Sequence, residues 1–229
     1  MNQRIIILSP REDDGVGLYA KRLKIIFSNY EVLILSKSHF NRWLKGKSCF
    51  KRLIINCSHF FLKGARHLMS KILFPKSKYG NTLTISMPLI DDYLDNFIYK
   101  KDNLLVLSLF GFITEKQLTN ICIKKNINPI YYPLDMEFLS ACFNFKYKKT
   151  GYKIDGISYP SYMFFFRKFI KHIHNQKLIN RKKMGIRVVS PSNYVQTLIK
   201  NSPCFKEIKV SSIIYLAIPE PPLRFEKDI

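Results

Sequence analysis

The chain is short of acid: its 229 residues hold 16 Asp and Glu against 38 Lys and Arg, a formal net charge of +22. It has no charge-free apolar run of about 18 residues, so no membrane-spanning helix is expected. The opening Met1-Asn-Gln-Arg-Ile-Ile-Ile-Leu-Ser-Pro10 lacks the long apolar region and cleavage site of a secretory leader. It resembles a first β-strand and points to a cytoplasmic protein. Cysteine is sparse and scattered: Cys49, Cys57, Cys122, Cys142 and Cys204 form no C-x-x-C pair. That spacing excludes a clustered zinc site and a disulfide framework, and leaves small buried hydrophobes as the expectation. The histidines add no metal signal. His172 and His174 diverge on a helix at i, i+2, and His39, His59 and His67 have no partner at ligand spacing.

What is there is apolar enough to fold. Hydrophobic residues at 47% and aromatics at 14% exclude disorder, and the length suits one large α/β domain or two small ones. Short strands and helices alternate. Strands are expected at Arg4 to Ser9, Glu31 to Leu35, Thr82 to Ser86, Leu104 to Leu109, Ile130 to Leu134, Ile186 to Val189 and Val210 to Ile218. Helices are expected from Gly15 (Leu18, Leu23, Ile26 and Phe27 on one face), about Phe50 to Phe74, Glu115 to Lys125, Tyr162 to Lys183 and Ser192 to Lys200. This alternation predicts a doubly wound, Rossmann-like parallel sheet with helices on both faces. Residues 1–218 form the domain under this expectation, and Pro219 to Ile229 a proline-rich linker.

The positive charge is uneven. From Phe138 to Lys206 there are fourteen Lys and Arg and one acid, Asp155. Nucleic acid, an anionic membrane or phosphorylated substrates could each be the partner of such a field, and a Lys, Ile and Asn-rich composition also suits an AT-rich genome. The helix over Tyr162 to Lys183 sets Phe164, Phe165, Phe166, Phe169, Ile170 and Ile173 against Arg167, Lys168, Lys171, Lys177, Arg181, Lys182 and Lys183. A basic amphipathic helix can rest on anionic lipid, and equally can have one core face and one solvated face.

Two segments carry candidate chemistry. Gly15-Val-Gly-Leu-Tyr-Ala20 spells G-x-G-x-x-A, but the preceding Glu12, Asp13 and Asp14 would repel a pyrophosphate and no ribose-binding acid follows the second strand. Glycines that admit close backbone approach, at a helix N-terminus that favours a phosphate or a polar sugar face, fit better; a plain helix start is the alternative. Asn128-Pro-Ile-Tyr-Tyr-Pro-Leu-Asp-Met-Glu137 reads as a buried strand ending in carboxylates, where open α/β sheets bind ligands. Asp135 there could hold a substrate hydroxyl or cap local N–H groups.

In this order, four segments resemble the N-terminal half of family 4 glycosyltransferases with the GT-B fold, the group that builds bacterial surface polysaccharides. Asp14-Gly-Val-Gly-Leu-Tyr-Ala-Lys-Arg-Leu23 resembles the glycine loop after the first strand, and Gly111-Phe-Ile-Thr-Glu-Lys-Gln-Leu118 the G-F-[IL]-[ST] entry to a helix. Pro129-Ile-Tyr-Tyr-Pro-Leu-Asp-Met136 with Ser140-Ala-Cys142 looks like P-I-V-W-T-L-H-D-M and G-G-C-H-Y, and Val188-Val-Ser-Pro-Ser-Asn193 like A-P-S-x-W. Ile218-Pro219 stands where I-P-N-G-I-D would. The resemblance implies a retaining, metal-independent transfer of a hexose from a nucleotide-sugar to a saccharide or lipid-linked acceptor, with no cofactor. It implies Asp135 near the reacting hydroxyl, and a substrate site lined by Gly15, Val16, Gly17, Met136, Glu137, Ser190 and Ser192. An anionic membrane surface at the inner face of the plasma membrane is a further expected partner. So is a separate polypeptide with the nucleotide-binding C-terminal domain, since no E-x7-E motif occurs here. Nucleic acid is not expected, for want of a motif. Leu134 stands where many members have His, which favours the alternative of a truncated or degenerate non-catalytic module that binds acceptor, membrane or a partner.

Overall fold

A computed structural model describes residues 4–49, 53, 57–58, 88–109, 111–134, 138–139, 152–155, 157–159 and 161–215. The expected helix over 50–74, the strand over 82–86 and the boundary at 218/219 lie outside the described residues. Within them the chain is an α/β domain built on six parallel strands. These are β1 (Arg4–Leu8), β2 (Glu31–Leu35), β3 (Asn103–Val106), β4 (Ile130–Tyr131), β7 (Arg187–Ser190) and β8 (Val210–Ile213), in the order β2-β1-β3-β4-β7-β8. A small antiparallel hairpin, β5 (Tyr152–Ile154) and β6 (Ile157–Tyr159), stands apart. The helices are α1 (Gly15–Ile26), α2 (Lys37–Lys45), α3 (Ile90–Phe97), α4 (Glu115–Lys125), α5 (Arg167–Met184) and α6 (Asn193–Lys200).

Alternation along the strands sorts the core into two faces. Ile6, Leu8, Leu35, Leu104, Val106, Tyr131 and Val188 face one way, beneath α2 to α6. Ile7, Leu107 and Tyr132 face the other, against Ala20 and Leu23 of α1. Helices thus flank both faces, and the fold is a Rossmann-like, doubly wound one. Local chemistry sets the helix limits. Thr114 and Gln117 form a capping box at the start of α4, and Asn126 closes it in the left-handed region. Gly185 ends α5 at φ 58, a conformation that L side chains rarely adopt.

Several expected elements are trimmed. Strand β4 has only two residues and is followed by Tyr132, whose N–H still donates to Val106 O, and Pro133. Of the four residues expected on one face of α1, Leu23 is buried and Phe27 packs partly on the core, whereas Leu18 and Ile26 are exposed; Gly17 and Ala20 complete the buried face. Helix α5 begins at Arg167, preceded by a 3-10 segment over Ser161–Phe166. Lys177 and Arg181 are buried in its inner stripe with Ile170, His174 and Met184, a correction to the solvated face expected for them. No described helix is long and apolar enough to cross a membrane.

Candidate functional site

All six strands run the same way, so the loops that follow them gather along one edge of the sheet. The chain leaves β1 toward β2 on one side and continues from β3 on the other, which makes the β1/β3 gap the topological switch point. The loop after β1 (residues 9–14) and the described residues after β3 (107–109 and 111–114) border it. Backbone bonds zip the edge together: Leu107 N–H donates to Leu8 O at 3.1 Å, Tyr132 N–H to Val106 O at 3.0 Å and Ile214 N–H to Ser190 O at 2.9 Å.

The first loop carries three acids, and each has a structural partner. Asp14 caps α1, accepting from Gly17 N–H at 2.9 Å. Asp13 reaches Lys21 at 3.4 Å. Glu12 turns away to accept from the Ser36 and Ser38 hydroxyls at the start of α2, with Arg42 3.7 Å off. Those two hydroxyls, then Arg42 and Lys21, hold the Glu12 carboxyl below its usual pKa. The acids therefore do not converge on the switch point.

The two glycines of the loop differ in kind. A Cβ on Gly17 would lie 2.3 Å from Arg11 O and 2.5 Å from Glu12 C, so the first turn of α1 can close on its own loop only with glycine there. A Cβ on Gly15 would meet nothing within 4 Å. Gly15 and Val16 open the helix, where N–H groups have no intrahelical acceptor. Of the residues expected to bind substrate, Gly15 combines open space with a helix-start N–H, Val16 packs partly on the core, and the Gly17 N–H serves the Asp14 cap.

The serines expected to bind substrate are engaged locally. Ser190 is fully buried and its hydroxyl donates to Ser192 O at 2.7 Å. Ser192 caps α6, accepting from Val195 N–H at 3.2 Å. Beyond that cap, Tyr194 and Tyr215 are exposed, and Asn193 Nδ2 donates to the Tyr215 hydroxyl at 3.3 Å.

Asp135, Met136 and Glu137 lie outside the described residues, but both flanks of that segment are described and firmly held. Before it, the Tyr132 ring stacks on Tyr19 of α1 at 5.6 Å, and its hydroxyl donates to Ile214 O at 2.8 Å. Leu134 packs on the Ile7, Ala20, Leu23 and Leu107 cluster. After it, Phe138 and Leu139 are buried. Arg181 Nη1 donates to Phe138 O at 2.8 Å and to Cys204 O at 3.2 Å, and Ser202 Oγ donates to Leu139 O at 2.7 Å.

Arg181 is the centre of a buried network that sequence reasoning missed. It is fully buried, lies 4.2 Å from the Phe205 ring centroid, and donates through Nε to Glu115 Oε1 at 2.9 Å, with a second, shorter bond from Nη2. Tyr131 donates to the other Glu115 oxygen at 2.7 Å. Burial, with the Glu115 carboxylate beside it, pushes the Tyr131 phenol well above its usual pKa. The available signal was periodic: residues 170, 174, 177, 181 and 184 repeat at helical spacing between apolar Ile170 and Met184.

A second polar clasp ties the β5–β6 hairpin to α5. His174 Nδ1 lies 3.0 Å from Asp155 Oδ2 and its Nε2 2.7 Å from the Tyr159 hydroxyl. The carboxylate only accepts, so Nδ1 carries the proton and the Tyr159 hydroxyl donates to Nε2 of the neutral ring. Burial lowers the His174 pKa, and Asp155 opposes it incompletely. Among the described residues no three His, Cys, Asp or Glu side chains are grouped to hold a metal ion.

Comparison of the chain with protein-family profiles, curated proteins and solved structures finds no match.

Proposed function

We propose that this chain is the acceptor-side domain of a glycosyltransferase that takes a hexose from a nucleotide-sugar to a saccharide or lipid-linked acceptor. The observation that carries the reading is the open N-terminus of α1 at the β1/β3 switch point. Among the described residues nothing fills the space at Gly15, the Gly15 and Val16 N–H groups stand at the helix start where no intrahelical acceptor exists, and the neighbouring acids are turned to other partners. Such an end accepts a phosphate or a sugar hydroxyl. The described residues on either side of 135–137 are held by packing and hydrogen bonds, Tyr132 and Leu134 before and Phe138 and Leu139 after, and under this reading Asp135 serves as the general base or hydrogen-bond acceptor. Under this reading the leaving diphosphate is stabilised mainly by a second, donor-binding domain.

Leu134 supports a second reading, in which the domain binds acceptor without turning it over. Its side chain belongs to the apolar cluster against α1, so the position that would offer an imidazole in the resembling family offers only packing.

The test is turnover of radiolabelled nucleotide-sugars with lipid-linked and free oligosaccharide acceptors, by this chain alone and with a donor-binding domain supplied. Transfer that Asp135→Asn abolishes without loss of folding is expected under the first reading. Saccharide binding that Gly15→Glu weakens, with no transfer in either format, favours the second. A folded protein with neither activity overturns both.

A further inference from the structure

The outer surface at the start of α5 is unlike the rest of that helix. Phe165 is 84% exposed, Phe164 50% and Phe169 39%, and the Phe164 and Phe165 rings meet edge to face at 6.0 Å. Around them Lys153, Arg167, Lys168 and Lys171 are all exposed, and no acid occurs in the sequence from residue 156 to 206. Asp155, the acid nearest in sequence, is matched by His174 and Lys171.

Three large aromatic rings in water, ringed by cations, are a costly surface for a free domain. They match the boundary of an anionic bilayer, where rings enter the headgroup layer and cations meet phosphates. The patch is also held in shape. The Asp155–His174–Tyr159 clasp fixes the hairpin that leads directly into the Ser161–Phe166 turn, so the rings are presented by ordered backbone.

Its place in the fold matters for function. Helix α5 spans 18 residues and returns the chain to the start of β7, whereas β7 has four. At about 1.5 Å per residue the helix is roughly 27 Å long, against about 13 Å for the strand. Its first turns therefore rise on the side of the sheet where the strands end, the same side as the candidate crevice.

We propose that the Phe164–Phe165 turn and the first two turns of α5 are a docking surface for an anionic lipid bilayer. It holds the switch-point edge close to the headgroups. The bearing on substrate, that the acceptor is presented from the membrane, rests on the transferase reading; the docking itself does not.

Flotation of the full chain with phosphatidylglycerol-containing and pure phosphatidylcholine vesicles tests it. Binding to the anionic vesicles alone is expected, falling roughly fivefold for Lys168→Glu beyond the value for Lys24→Glu on α1, an equal charge change elsewhere. Phe165→Ser should weaken it about tenfold with circular dichroism unchanged. Phe165→Trp emission should shift to the blue and be quenched by brominated lipid, while the native Trp43 is not quenched. Equal losses for Lys24→Glu and Lys168→Glu, no vesicle binding, or tighter binding to DNA than to lipid would each overturn the proposal. Transfer to a water-soluble acceptor that persists in Phe165→Ser would separate docking from chemistry.

Discussion

Removing the Glu115 charge should be among the most damaging single changes to this domain. Glu115→Gln keeps the side-chain shape but leaves the Arg181 guanidinium fully buried with no counter-charge, near the buried Lys177. Breaking a buried pair from one side costs about 3–5 kcal/mol, a large part of the roughly 5–15 kcal/mol that stabilises a domain. With a urea slope near 2 kcal/mol/M, the unfolding midpoint should fall by about 2 M. Arg181→Met should also destabilise, because the Phe138 and Cys204 carbonyls lose their shared donor and Tyr131 is left facing an uncompensated carboxylate. The double variant Glu115→Gln with Arg181→Met removes both charges, so it should be clearly more stable than the sum of the single losses predicts, with a coupling of about 2–3 kcal/mol. Urea unfolding followed by circular dichroism measures all three. Amide exchange at Phe138 and Leu139 should rise in Arg181→Met even where the global fold holds, because Arg181 anchors the end of the 135–137 segment. A loss under about 1 kcal/mol for Glu115→Gln, or strict additivity in the double variant, would refute the network as described.

Two further outcomes follow from the site and its clasp. Gly17→Ala should cost about 1–3 kcal/mol by forcing the first turn of α1 off Arg11 and Glu12, whereas Gly15→Ala should leave the thermal midpoint nearly unchanged; equal shifts would contradict the geometry. His174 and His39 both have pKa values lowered, first by burial, so the unfolded chain takes up protons near pH 6.5 before the native state does. Stability should therefore decline as pH falls below about 6.5, and His174→Gln should flatten that decline in urea midpoints measured between pH 7 and 5. Asp155, lowered by His174 and Lys171 against an opposing burial effect, adds a second loss as the pH falls below the ordinary carboxylate value of 3.8. A pH profile unchanged by His174→Gln would show that the clasp does not carry it.

The inner strands β1, β3, β4 and β7 were legible in the sequence because each carries a short apolar run with buried residues, a pattern that survives without any tertiary information. Helix α4 was legible to the residue because Thr114, Gln117 and Asn126 specify its ends locally. Helices α2 and α3 were not, since each is short and their apolar sets, Phe40 with Leu44 and Ile90 with Tyr93 and Leu94, acquire meaning only when the two pack together. The same limit governs the site. Asp14, Gly15 and Gly17 announce a helix start in any reading, but only the packed loop distinguishes a glycine pressed against its own backbone from one that faces open space. Arg181 is the clearest instance: composition assigns a cation to water, and only the partner 66 positions away, Glu115, makes burial possible. The helical repeat places Arg181 on the inner stripe, but nothing local names its partner. Arg181 fixes the backbone carbonyls of Phe138 and Cys204, so a residue that the sequence assigns to solvent is one that ties two loops to the core.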